Sequence, residues 1–164
     1  MVFNQKAKSV YISYIPEDTF YAETVANYLK EAGYAVALSP HLKRGSNTIC
    51  KAMIQQADAV VLLTSPAASR SSRFWRDTGF ARVNDKPVIP MVVHEFFDDV
   101  PKKYYIKATD DILKGCDRLA HALTRANGYR DNALGERERP QVVRAIRTAA
   151  VVAATALFGL FVSS

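Results

Sequence analysis

The sequence predicts an α/β fold in which a parallel β-sheet carries helices on both faces. Short apolar runs alternate along the chain with segments of helical periodicity, which is the pattern of successive βα units. The apolar runs at residues 10–15 and 34–38 are joined by one amphipathic helix, and two short parallel strands require such a crossover. A third apolar run at residues 59–64 has the character of a central strand that is covered on both faces.

The first βα unit is the most clearly marked part of the chain. A β-branched strand from Val10 to Ile15 ends at Pro16, acidic residues begin the helix, and Gly33 ends it. The apolar side of this helix consists of Tyr21, Val25, Tyr28, Leu29 and Ala32. Ligand-binding residues of α/β sheets lie at the carboxyl ends of the strands, so Ser13 and Tyr14 are candidates for a binding site.

Four more βα-like units follow the first. A polar loop at residues 39–45 leads to a helix that Ser46 or Asn47 could cap. Its predicted inner face consists of Ile49, Met53, Ile54 and Ala57. A serine-rich loop at 65–72, a helix at 73–83, a strand at 87–93 and a short strand at 104–106 come next. The last predicted helix has one apolar stripe, formed by Ile112, Cys116, Leu119 and Leu123.

Charge distribution and residue spacing favour neither a nucleic-acid partner nor a metal site. The 164-residue chain has a net charge of +6, but its basic residues are spread out and are densest at 137–147, so we expect no nucleic-acid partner. Cys50 and Cys116 fall at core positions without metal-ligand spacing. The three histidines, His41, His94 and His121, also lack ligand spacing, and we expect them to be structural or solvent-facing.

The chain divides into three segments. Residues 1–125 form the predicted domain, residues 126–147 a basic polar linker, and residues 148–164 an uncharged apolar segment. Seventeen residues of helix span roughly 25 Å, the lower edge for a bilayer core. The arginines before the segment predict a single-pass membrane helix with the N-terminal domain in the cytoplasm. The alternative is a helix that packs on the domain or on a partner.

Six short motifs, in this order and spacing, resemble the bacterial type of TIR (Toll/interleukin-1 receptor) domain over roughly residues 8–125. They are Tyr-Ile-Ser-Tyr (11–14), Gly-Tyr-Ala-Val (33–36), Leu-Lys-Arg-Gly (42–45), Val-Leu-Leu-Thr-Ser-Pro (61–66), Ser-Arg-Phe-Trp (72–75) and Lys-Pro-Val-Ile-Pro (86–90). The resemblance implies a flavodoxin-like three-layer sandwich with a five-stranded parallel sheet. It also implies signalling in innate immunity or antiphage defence, with other TIR domains as partners, and in many members cleavage of NAD⁺ between nicotinamide and ribose.

The resemblance leaves the catalytic residue open. NAD⁺-cleaving members carry a glutamate on the fourth helix, usually four residues after the aromatic that corresponds to Trp75, and here that position is Gly79. Counting back from Lys86 instead brings Asp77 near the catalytic position. Asp77 is therefore either the catalytic acid, with a side chain one methylene shorter than glutamate, or a solvated residue near a helix N-terminus.

The resemblance also suggests residues that would bind the nucleotide. Ser13 and Tyr14 would line the pocket, although Ser13 could instead bond to backbone at the strand end. Lys43, Arg44 and Gly45 lie in the loop that gates the pocket in the family, where basic residues could hold a pyrophosphate. Trp75 is either a stacking platform or a packing anchor. Ser39 stands where many members carry an acidic residue. No metal site is expected, and NAD⁺ would be a substrate and not a cofactor.

These observations predict a membrane-anchored TIR-domain signalling protein that works by self-assembly or by recruiting a partner. The alternative is an NAD⁺ glycohydrolase that assembly activates, with Asp77 as its acid. A phospho-receiver domain shares the sheet order, but it needs an aspartate at the end of the third strand, where this chain has Thr64 and Ser65.

Overall fold

The structure, a computed structural model, describes residues 9–41, 45–94 and 105–131. Five parallel strands form one sheet in the order β2-β1-β3-β4-β5. Their bounds are Ser9–Ser13 (β1), Ala35–Leu38 (β2), Ala59–Thr64 (β3), Val88–Val92 (β4) and Ile106–Lys107 (β5). The chain runs from β1 outward to β2, then returns to the other side of β1 for β3, so the direction of winding reverses between β1 and β3. The predicted five-stranded flavodoxin-like fold is confirmed.

Helices cover both faces of this sheet. A 3₁₀ turn at Pro16–Asp18 leads into α1 (Thr19–Glu31), and the others are α2 (Ser46–Gln56), α3 (Pro66–Ser69), α4 (Ser72–Val83) and α5 (Ile112–Asp131). One core lies between the sheet and α1 and α5, and it contains the predicted residues Val25, Leu29, Cys116, Leu119 and Leu123. The second core lies between the sheet and α2, α3 and α4. Alternate residues of β1 serve the two cores, which places Tyr11 on the α4 side and Ile12 on the α1 side.

Several local predictions differ from the structure. Ile49 was expected on the inner face of α2, but it is 42% exposed. Ile54 and Ala57, predicted for the same face, are buried, and so is Cys50. Neither Ser46 nor Asn47 caps α2, because the N-cap is Gly45, whose positive φ of 73° favours glycine. The loop after β3 contains the short helix α3, and the last strand is Ile106–Lys107 where residues 104–106 were predicted.

The α5 helix continues to Asp131, six residues into the segment predicted to be a linker. The remainder of that linker and the apolar segment 148–164 lie outside the described residues. In the part of the chain that is described, no helix is both long and apolar enough to cross a membrane.

Candidate functional site

The carboxyl end of β1 carries the centre of the candidate site. Tyr11 and Ser13 lie two residues apart on this strand, so both side chains leave the sheet on the face that α4 covers. The hydroxyl of Ser13 donates a hydrogen bond to Oδ2 of Asp77 at 2.9 Å, and the hydroxyl of Tyr11 donates to the same oxygen at 3.1 Å. One hydrogen-bond network thus joins Asp77 to Ser13, 64 residues earlier in the chain, and to Tyr11, 66 residues earlier.

Asp77 is buried and not solvated. Its side chain lies in α4, between the helix and the end of β1, and only 2% of the residue is exposed. The alternative of a solvated residue near a helix N-terminus is therefore wrong. Both hydrogen bonds go to Oδ2, and Oδ1 of Asp77 accepts none from the described residues.

Gly79 lies on the opposite side of α4. It is exposed, and a Cβ added there would meet no atom within 4 Å. Two residues correspond to about 200° of helix rotation, so a side chain at 79 cannot reach the surface that Asp77 occupies. Of the two positions that the sequence left open for the acid, only Asp77 faces the end of β1.

Some surroundings of Asp77 raise the pKa of its carboxyl and others lower it. Burial raises the pKa of the Asp77 carboxyl above its ordinary value, and the hydrogen bonds from Ser13 and Tyr11, together with the nearby Arg76 and Arg73, oppose that rise. Burial is the main cause that raises the pKa of the Tyr11 hydroxyl, and the negative charge of Asp77 is the second cause. Tyr11 is therefore a neutral hydroxyl that donates to the carboxylate.

Tyr14 is part of a second group of side chains at this edge. Its ring meets the His41 ring edge to face, with the centroids 4.5 Å apart. Arg73 of α4 lies 2.8 Å from Nδ1 of His41 and also donates to the carbonyl oxygen of Pro40. An arginine can only donate, so Nδ1 accepts, and His41 is neutral. Burial and the charge of Arg73 lower the pKa of His41.

The other predicted binding residues divide into three groups. Trp75 donates from Nε1 to the carbonyl oxygen of Ser69 at 2.7 Å and packs edge to face on Phe74, so the orientation of its indole ring is fixed. Gly45 forms the N-cap of α2. Lys43 and Arg44 lie outside the described residues.

Ser39 follows β2 directly, beside the end of β1. Its backbone N–H donates to the carbonyl oxygen of Ile12 at 3.0 Å, which extends the β1–β2 pairing by one residue. The register that pairs Tyr11 with Ala37 places Ser39 opposite Ser13 on the same face of the sheet. The Ser39 side chain is 1% exposed, and its hydroxyl has no hydrogen-bond partner among the described residues.

A separate cluster joins the carboxyl ends of three strands. The hydroxyl of Ser65, which follows β3, donates to Oδ2 of Asp18 at 2.5 Å and accepts from the backbone N–H of Ala68 at 3.1 Å. Nε2 of His94, which lies beyond β4, is 3.4 Å from Oδ1 of Asp18. Asp18 is 2% exposed. The sequence placed Asp18 only at a helix start, and it contained no pattern that links residues 18, 65 and 94.

Tyr11, His41 and Arg73 are the site residues that sequence reasoning missed. Tyr11 could have been found from its i, i+2 relation to Ser13, which is the spacing of one strand face. Arg73 gave no signal, because its role depends on the loop at the end of β2. Within residues 9–41, 45–94 and 105–131, no group of three or more His, Cys, Asp or Glu side chains could hold a metal ion.

Comparison with known proteins agrees with the fold. A family model described as the TIR domain matches residues 10–120. A CMP N-glycosidase from Clostridium botulinum is similar in structure, with 16% identity and a TM-score of 0.53 over 70% of this chain and 99% of that chain. The TIR domain of a Toll-related receptor from Hydra magnipapillata has 18% identity and a TM-score of 0.51 over 74% of this chain and 95% of that chain. No curated protein matches the sequence.

Proposed function

Because the chain belongs to the TIR-domain family, we propose that it cleaves an N-glycosidic bond, with NAD⁺ as substrate and Asp77 as the catalytic carboxylate. Water would add to the ribose carbon, nicotinamide would leave, and the products would be ADP-ribose and a proton. The observation that carries the proposal is the position of Asp77, which is the one acid of α4 and lies at the carboxyl end of β1.

The chemistry needs a negative charge close to the ribose. Breaking the bond develops positive charge on the sugar, and a fixed carboxylate stabilises that charge in a water-poor site. Tyr11 and Ser13 hold Oδ2 of Asp77 in place, and Oδ1 accepts no hydrogen bond from the described residues. The first oxygen would orient the carboxylate, and the second would face the ribose.

The rest of the edge supports binding of the nucleotide. Tyr14 and His41 would border the pocket, and Arg73 supplies a positive charge beside them, suited to the pyrophosphate. Lys43 and Arg44 would add to that charge from the loop after β2. The Clostridium botulinum relative in structure is a CMP N-glycosidase, and at 16% identity that likeness concerns the fold alone.

The proposal is tested by incubating the full chain with NAD⁺ and following the release of nicotinamide. We expect Asp77→Asn to lower the rate by on the order of 10²-fold or more, because the charge is lost while the shape is kept. The matched control is Gly79→Glu, which adds a carboxylate on the exposed side of the same helix and should leave the rate unchanged. Activity that survives in Asp77→Asn, or that rises with Gly79→Glu, would contradict the proposal.

The second candidate function is an assembly module without catalysis. It is favoured by the burial of Asp77, because a residue that is 2% exposed offers little surface to a substrate. Self-association with other TIR domains, or recruitment of one, would then be the output. A wild-type chain that releases no nicotinamide at any concentration, but whose sedimentation coefficient rises with concentration, would favour this candidate.

Attachment to a membrane through residues 148–164 is a further part of the proposed function, with the N-terminal domain in the cytoplasm. Its support is the absence of charge in that segment and the arginines before it. Tethering would raise the local concentration of the domain and so promote weak contacts between copies. Flotation of the full chain with vesicles, and its loss in Leu157→Arg, would test the attachment.

A further inference from the structure

We infer that Ser39 is a positioning residue for the Asp77 carboxylate and acts through the hydroxyl of Tyr11. The inference deepens the proposed function, because it concerns the carboxylate that we assign to catalysis. It is carried by three features: a buried hydroxyl that has no partner among the described residues, a tyrosine beside it, and the bond from that tyrosine to Asp77.

The first feature is the state of the Ser39 side chain. A buried donor that makes no hydrogen bond costs about 1–3 kcal/mol, and an alanine would avoid that cost. The N–H of Ser39 bonds to Ile12 at 3.0 Å, which holds the backbone against β1. The hydroxyl is thus fixed on the α4 face of the sheet.

The second feature is the neighbour of that hydroxyl. Ser39 lies opposite Ser13 in the β1–β2 pairing, on the face of the sheet that also carries Tyr11, and its hydroxyl lowers the pKa of the phenol against the much larger effect of burial. Since Ser39 favours negative charge on the phenolic oxygen, it acts toward Tyr11 as a donor. The bond itself requires the Ser39 hydroxyl to turn toward Tyr11, since it has no partner among the described residues.

The third feature is the direction of the chain of donors. Ser39 would donate to Tyr11, and Tyr11 donates to Oδ2 of Asp77 at 3.1 Å. Consecutive hydrogen bonds polarise one another, so a donor to Tyr11 makes its hydroxyl a stronger donor to the carboxylate. Ser39 therefore favours the charged form of Asp77, which is the form the proposed reaction requires.

Other titratable and charged groups also face this network. They are Arg73 and Arg76 on α4, Cys50 on α2 beside Tyr11, and His41 in the loop after β2. None of them is changed by a substitution at residue 39, so a Ser39 variant reports on the donor chain with these charges held constant.

The test is a carboxyl titration by NMR on the full chain with ¹³C-labelled aspartate, in which Asp77→Asn identifies the Asp77 signal. We expect Ser39→Ala to raise the pKa of Asp77 by about half a unit, and Ser39→Thr to restore it. The same Ser39→Ala change in a Tyr11→Phe chain should produce no shift, because the intermediate hydroxyl is gone.

Two results would overturn the inference. One is an unchanged Asp77 pKa in Ser39→Ala, and the other is an equal shift with and without the Tyr11 hydroxyl. The readout is a pKa and not a rate, so it stands even if the chain releases no nicotinamide. In that case the donor chain would hold while the proposed function failed, and the two failures are distinguishable.

Discussion

Asp77 is buried, and its burial makes the stability of the protein depend on pH. Burial raises the pKa of its carboxyl above the ordinary 3.8, so the folded state holds the proton more tightly than the unfolded state. The contribution of this group to stability is therefore fully present below the unfolded pKa, and it is lost as the pH rises through the raised folded pKa.

Asp77→Asn should remove this loss, because an amide oxygen still accepts from Ser13 and Tyr11 but carries no charge. We expect the free energy of unfolding of the variant to rise relative to wild type as the pH goes from about 4 to about 7. Urea unfolding at four pH values would measure the difference. A difference that stays constant, or that favours wild type with rising pH, would contradict a raised pKa for the folded carboxyl.

Two helical glycines, one packed against the sheet and one exposed, differ in what an added side chain would meet. A Cβ on Gly115 of α5 would lie 2.5 Å from Cβ of Ala108 and 3.1 Å from Cε of Met91. Gly115→Ala should therefore destabilise the protein by about 1–3 kcal/mol, because the helix would have to move away from β4 and β5. Gly79→Ala, in open space on α4, should stabilise it by about 1 kcal/mol. Thermal unfolding would compare them, and two changes of the same sign would contradict the packing described.

Pro90 in β4 shows how a residue that usually interrupts strands is accommodated. The N–H of Val60 donates to the carbonyl oxygen of Pro87, and the N–H of Val93 donates to that of Thr64. The backbone N–H and C=O groups of the odd-numbered residues of β4 therefore point toward β3. The nitrogen of Pro90 therefore faces the β5 side, where pairing begins only at Met91. No ladder bond between the described strands is lost to its missing N–H.

The elements were more predictable from the sequence than the site. Apolar periodicity and Gly33 determine the strands and α1 because these signals are local. The role of Asp77 was ambiguous because counting from Trp75 placed the catalytic position at Gly79, whereas counting from Lys86 placed it near Asp77. Only the packing of α4 on β1 decides which of the two positions faces inward. The neighbour relation of Ser39 and Tyr11 depends on strand pairing, which no local pattern expresses.

The three strand ends joined by Asp18 are a stability element of the whole molecule. Ser65→Ala removes the 2.5 Å bond to the buried Asp18 carboxylate and the cap on the N–H of Ala68. We expect a loss of about 2–4 kcal/mol in the free energy of unfolding. The matched control is Ser69→Ala in the same segment, which loses one partly buried bond to Pro66 and should cost about 1 kcal/mol or less. Equal losses in the two variants would show that Asp18 does not depend on Ser65.

The distance in sequence between Ser13 and Asp77 has a consequence for synthesis. β1 is synthesised first. The hydroxyl of Ser13 has no carboxylate partner until Asp77 is added, 64 residues later. β2 can pair with β1 early, since the two are close in the chain, whereas β3 and α4 must arrive from far along it. A nascent chain that stalls before residue 77 thus carries the hydroxyls of Tyr11 and Ser13 without the carboxylate of Asp77, and the order of translation delays the site until most of the domain has been made.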